Sequence, residues 1–343
     1  MSVILSRYLY ILDEVKYCFK IAIIHRKPLK ESIFWFSEYY RSGYEEECWQ
    51  LIFKIYYEYF ACINYYFEKV LIRTYETWKK DNDIYHLIYI IQNFHLMEIN
   101  KALVNVKDIE KNKDKKLTLL RGKIPDRFKN ITNKECQKLI RFLEKGNIQM
   151  IYHIYKNSFY EIDIDIINDF YKCNLKLNND YYNEKDEIKL SQIFLALNNE
   201  KNLNKQKIFV KPSNEIIKFE RELNNIENIK NYNILKEKRL YRIYDELIYY
   251  ELERNKMDFS KLKKDILLKW EVYAYECRLW KQRIKEYGGY IENNEIYFKD
   301  NDELERFYEK YGFELDEQSK DVQDKSLINI KKLIFKKFIK III

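Results

Sequence analysis

Apolar residues recur along this chain at three- and four-residue spacing, beginning with Tyr8, Leu12, Val15, Phe19, Ala22 and Ile23. That spacing lines one face of a helix. Pro28 stands where a second helix would start, a position that tolerates its missing N–H. The run Leu29 to Ser42 supplies that helix with Ile33, Phe34, Phe36 and Tyr40, and Gly43 follows it, as suits a residue taking positive φ past a helix C-terminus. Glu45, Glu46 and Glu47 fall in the first turn of a third helix, where negative charge favours the exposed N–H groups. Trp49, Ile52, Phe53, Tyr56, Tyr59 and Phe60 give it a buried stripe. The stretch "FWFSEYYRSGYEEECW" therefore reads as a helix–glycine–helix joint. A divalent cation on the glutamate triplet is the alternative to this helix-dipole role.

The pattern returns further on. Thr132 with Glu135 forms a capping box ahead of an amphipathic helix, Gly146 interrupts, and Ile148, Ile151, Tyr152 and Tyr155 start another. Between these two helical hairpins, "DNDIYHLIYIIQNFHLMEINKALVNV" reads as further helix capped by Asp81, Asn82 or Asp83. Pro212 and Ser213 precede another helix. Ile266, Trp270, Tyr273, Cys277, Trp280, Ile284 and Tyr287 then step by fours and threes along what reads as one helix, with a core face favoured over a partner seam. "GGYIENNEIYF" alternates about Asn293-Asn294, as a two-residue hairpin does. Asp300 and Glu303 cap a last helix that ends at Gly312.

The expected fold is mainly α, built of stacked helical hairpins (α-solenoid-like or an irregular helical bundle), with a small β-hairpin near residues 288–299. Only 6 Gly and 3 Pro in 343 residues agree, since a turn-rich β fold needs more of both. Charge and punctuation divide the chain into an N-terminal helical region (1–106), a basic loop or linker (107–131), a helical region with the hairpin (132–327) and a basic amphipathic tail (328–343).

The net charge of +8 is modest, and abundant Lys, Asn, Ile and Tyr are what A/T-rich codons supply. Its distribution matters more. Residues 101–145 hold 14 basic and 6 acidic residues, a net of +8, and the last sixteen residues add five lysines. Lys113, Lys115, Lys116, Arg121, Lys123, Arg127 and Lys129 are thus candidate phosphate contacts, set against the plain alternative of a solvated loop. In the tail, Lys331 and Lys332, Phe335, Lys336, Lys337, Phe338 and Lys340 belong to a basic amphipathic helix suited to a membrane surface or a partner's groove, if it is not a terminal core helix.

Six scattered cysteines without a C-x-x-C pair predict free buried thiols. Together with the lack of a signal peptide they suggest a reduced compartment. No apolar run is long enough to span a bilayer. His25, His86, His95 and His153 lack metal-ligand spacing, and there is no glycine-rich phosphate loop and no nucleophile elbow, so neither metal nor cofactor is expected.

The N-terminal "ESIFWFSEYYRSGYEE", paired with the distant "DELERFYEKYGFELDEQ", resembles an uncharacterised helical family of nucleocytoplasmic large DNA viruses, over about a third of the chain. The resemblance implies a place in the host cytoplasm or a viral factory and carries no activity or site residues; the virion is kept as a further location. The function expected is a non-enzymatic scaffold or adaptor binding another protein through helical surfaces. The alternative is an accessory nucleic-acid binder of viral transcription, replication or packaging acting through residues 107–129.

Overall fold

In a computed structural model the described residues are 3–104, 126, 134–144, 148–157, 164–198, 209–225 and 269–311. The basic residues 113–123, 127 and 129 and the whole tail lie outside them, as do Thr132, Gly146 and Gly312.

The chain is mainly helical, and its helices pack as sequence neighbours. Helices α1 (Leu12–Ile24) and α2 (Leu29–Tyr40) form the first pair, α4 (Phe67–Asp81) and α5 (Tyr85–Leu96) another. Helices α6 (Lys134–Glu144) and α7 (Ile148–Asn157) follow, then α8 (Ile164–Tyr171) and α9 (Lys185–Asn198). Helix α3 (Glu45–Tyr59) follows the first pair in sequence, and α10 (Asn214–Asn225) packs on α2. Near the C-terminus come α11 (Arg278–Glu286), strands β1 (Tyr290–Glu292) and β2 (Glu295–Tyr297), and α12 (Asn301–Tyr311).

Two compact units emerge. One joins residues 1–48 to residues 211–343, and the other is Trp49–Val210. This division does not follow the segments 1–106 and 132–327 read from charge and punctuation, because both ends of the chain contribute to one core. Val3, Leu5 and Leu9 are buried there with Trp270, Ala274, Cys277, Trp280, Ile284 and Phe307. Leu5 N–H donates to Tyr273 O at 3.2 Å and Trp280 Nε1 to Ser6 O at 3.1 Å. In the second unit Trp49 meets Tyr75 and Trp78 at 5.2 and 5.6 Å, and Phe60 stacks on Phe94 at 4.7 Å. Leu139, Ile151, Ile167 and Ile193 draw α6 to α9 into a second cluster of that unit.

The joint at Phe34–Trp49 is as expected. Gly43 takes φ +88° and the three glutamates open α3. An added Cβ on Gly43 would also lie 2.8 Å from Arg278 Cβ, so the glycine serves a close approach as well as a turn.

Three sequence expectations need correction. Helix α1 starts at Leu12, and Tyr8 lies in a turn closed by the Leu5–Ile11 bridge. Helix α5 stops at Leu96, because Met97 is extended and the backbone beyond it bonds elsewhere. Asn64 Nδ2 donates to Glu98 O and Asn100 N–H to Tyr59 O, both at 2.8 Å. The stripe from Ile266 to Tyr287, whose first residue lies outside the described ones, is two helices from residue 269 on, residues 269–275 and α11, broken at Cys277 (ψ 131°), whose Sγ reaches Ser42 O at 3.2 Å. The stripe still faces one core.

The hairpin matches its expected register, with Tyr290 opposite Tyr297, Ile291 opposite Ile296 and Glu292 opposite Glu295. Asn293 and Asn294 take φ 49° and 62°, the left-handed pair that a type I′ turn requires. Asp300 Oδ1 accepts the Glu303 N–H at 2.9 Å and caps α12.

Candidate functional site

The side chains singled out from the sequence, Lys113 to Lys129 and Lys331 to Lys340, lie outside the described residues. What the structure does present is the hairpin. Strand alternation sends Ile296 and Phe298 inward onto the tryptophan core, where Phe298 meets Phe307 at 5.1 Å. Gly289 permits this closeness. A Cβ there would stand 2.6 Å from Ile284 Cγ2 and 2.9 Å from the Phe298 ring.

The outward face carries Tyr290, Glu292, Glu295 and Tyr297, all exposed. The two rings stack at 5.7 Å with planes 24° apart, while remaining 47% and 37% exposed. Tyr297 Oη donates to Glu295 Oε2 at 3.2 Å, and this bond, followed by the Glu295 charge, raises the Tyr297 pKa. Lys269 donates to Asn294 O at 3.2 Å and stands 3.8 Å from Glu295 Oε1. Among the described residues no cation pairs with Glu292. The face is therefore an aromatic pair bordered by carboxylates on an anchored support.

Elsewhere in the same unit, arginines fill sites of like composition. Arg7 lies 4.2 Å from the Tyr8 ring centre with its Nε 3.4 Å from Glu38 Oε2. Arg41 lies 5.9 Å from the Tyr40 ring and 3.0 Å from Glu220 Oε1. Arg278 lies 5.0 Å over Tyr44 and donates to both oxygens of Glu47. In each case the guanidinium meets a π-face and a carboxylate together.

Two further carboxyl groups are buried beside tyrosines. Glu68 accepts hydrogen bonds from Tyr57 Oη at 2.7 Å and from Asn178 N–H at 3.1 Å, and burial pushes its pKa up to about 7. Glu271 accepts from Tyr308 Oη at 2.6 Å and is likewise raised by burial to about 7. They belong to different units. Among the described residues no group of His, Cys, Asp and Glu is placed to hold a metal ion. No described helix is long and apolar enough to cross a membrane. The thiols of Cys18, Cys48, Cys62 and Cys277 are buried, and that of Cys173 is half-buried.

Compared with known proteins, the chain matches no family model, no curated protein and no solved structure.

The sequence pattern predicts the hairpin without singling out its outward face. The signal was present, because an Asn-Asn turn with period-two alternation sets Tyr290 opposite Tyr297, across the sheet from Ile291 and Ile296. The acceptors of the arginines, Glu38 and Glu220, left no local signal, since their partners lie in other parts of the chain.

Proposed function

We propose that this chain is a non-enzymatic interaction protein, a viral scaffold or adaptor that binds another protein in the infected host cell. The stacked and exposed Tyr290–Tyr297 pair supports this reading. Tyrosine brings large contact area with only two side-chain torsions to freeze, which suits an interface. Its hairpin is already anchored by Ile296 and Phe298, so little ordering remains to oppose binding.

The test is site-specific photo-crosslinking in cells, with the crosslinker at position 290 of the full chain and a control at the exposed Lys218. A partner captured only from position 290, and lost from pull-downs of Tyr290→Ala/Tyr297→Ala, is expected. Equal capture from both positions would overturn the reading.

The concentration of charge in residues 101–145 favours a second reading, accessory nucleic-acid binding through residues 107–129. Binding should then fall steeply with salt and weaken on glutamine replacement of Lys113, Lys115, Lys116, Arg121 and Lys123. Nuclease treatment before a pull-down separates the two readings.

A further inference from the structure

We infer that the outward hairpin face receives an arginine side chain from a protein partner, held over the Tyr290–Tyr297 rings with its charge at Glu292. This rests on the interaction reading above and adds the chemistry of the partner.

Three observations lead to it. The face combines exposed tyrosine rings with carboxylates on one side of a two-stranded sheet. Same-face neighbours on a strand or its diagonal lie within reach of one long side chain. The same unit three times sets an arginine between a tyrosine ring and a glutamate, at Arg7, Arg41 and Arg278. On the hairpin the tyrosines and glutamates are present, and among the described residues no guanidinium joins them. Finally, residues 290–311 carry seven acidic and three basic side chains, a net of −4, so the surroundings attract a cation.

The local cations set the direction. Lys269 sits beside Glu295 and is tied to the Asn294 carbonyl, which leaves Glu292 as the open carboxylate. Lys299, two residues past Tyr297 and outside β2, lies at the end of the hairpin away from the turn glutamates and repels a second positive charge there. A partner segment would therefore lie with its arginine towards the turn. Arginine is favoured over lysine because a planar guanidinium stacks on a ring while its fork bonds a carboxylate.

The experiment measures fluorescence anisotropy of a labelled arginine–serine peptide titrated with the full chain. Matched peptides carrying lysine or citrulline, the neutral isostere, run in parallel. We expect arginine to bind best and citrulline worst. Glu292→Gln and Tyr290→Ala/Tyr297→Ala should each weaken arginine binding roughly tenfold, the scale of one charge-assisted or cation–π contact. Both variants change exposed side chains, and Glu292→Gln keeps size and shape. Citrulline binding as well as arginine, or variants binding as tightly as wild type, would overturn the inference. So would dimerisation lost in the tyrosine variant, which would put a second copy of the chain on this face. If the peptide fails while crosslinking from position 290 still depends on the tyrosines, the partner chemistry is wrong and the interaction reading stands. If both fail, both fall.

Discussion

Tyr57 Oη and the Asn178 N–H both donate to one oxygen, Glu68 Oε1, at 2.7 and 3.1 Å. These two bonds favour the charged carboxylate and lower its pKa, yet burial dominates and raises it from 4.5 to about 7. A carboxyl that holds its proton more tightly folded than unfolded adds stability fully present below about pH 4.5 and lost as pH rises to about 7.

Glu68→Gln keeps the accepting oxygen and removes the titration. Urea unfolding at about pH 5 and about pH 8 should show wild type losing stability that the variant retains. The difference is up to about 3 kcal/mol, since each pKa unit corresponds to ~1.4 kcal/mol. Glu271, raised by burial to about 7, titrates in the same sense. Glu68→Gln/Glu271→Gln should flatten the profile further.

Glu38 holds the N-terminal turn together. Its Oε1 accepts from Ser6 Oγ at 2.6 Å and from Tyr8 N–H at 2.7 Å, and its Oε2 lies 3.4 Å from Arg7 Nε. The Arg7 and Glu38 side chains are 1% and 0% exposed. Glu38→Ala would leave a buried guanidinium without this counter-charge, at a cost of about 3–5 kcal/mol. Thermal melts should show a large loss for Glu38→Ala and a smaller one for Glu38→Gln.

Gly289→Ala would force a methyl group against Ile284 and Phe298. Overpacking of this kind costs about 1–3 kcal/mol. A lower urea midpoint with an unchanged m-value is expected, together with altered near-ultraviolet circular dichroism as the tryptophan cluster shifts.

The buried thiols should be inert. Desolvation raises Cys48 and brings Cys62 to about 12, so little thiolate forms at neutral pH. In timed alkylation read by peptide mass spectrometry, the Cys62 and Cys48 peptides should label only on denaturation. Half-buried Cys173 should label before them.

Helix pairs, the glycine joint and the hairpin register were legible because each depends on residues close in sequence. Gly43 after an apolar run and Asn293-Asn294 between alternating arms constrain the backbone locally. The break at Cys277 was not legible, since its apolar spacing continues unbroken while Ser42, far away in sequence, accepts from its thiol. Glu68 was equally hidden. Nothing in the α4 periodicity distinguishes a glutamate facing Tyr57 and Asn178 from one in water. The outward hairpin face lies between these cases. Its register was readable, but its exposure depends on Ile296 and Phe298 being claimed by a core assembled from both ends of the chain.

That shared core has a consequence during synthesis. Residues 49–210 leave the ribosome as one continuous unit, whereas residues 1–48 must wait for Trp270, Trp280 and Phe307 before their own core can close. Through that interval Val3, Leu5 and Leu9 on the nascent chain lack the surface that buries them. Arrested chains ending near residue 250 should therefore recruit hydrophobic-binding chaperones through their first residues, and chains extended past Tyr311 should release them.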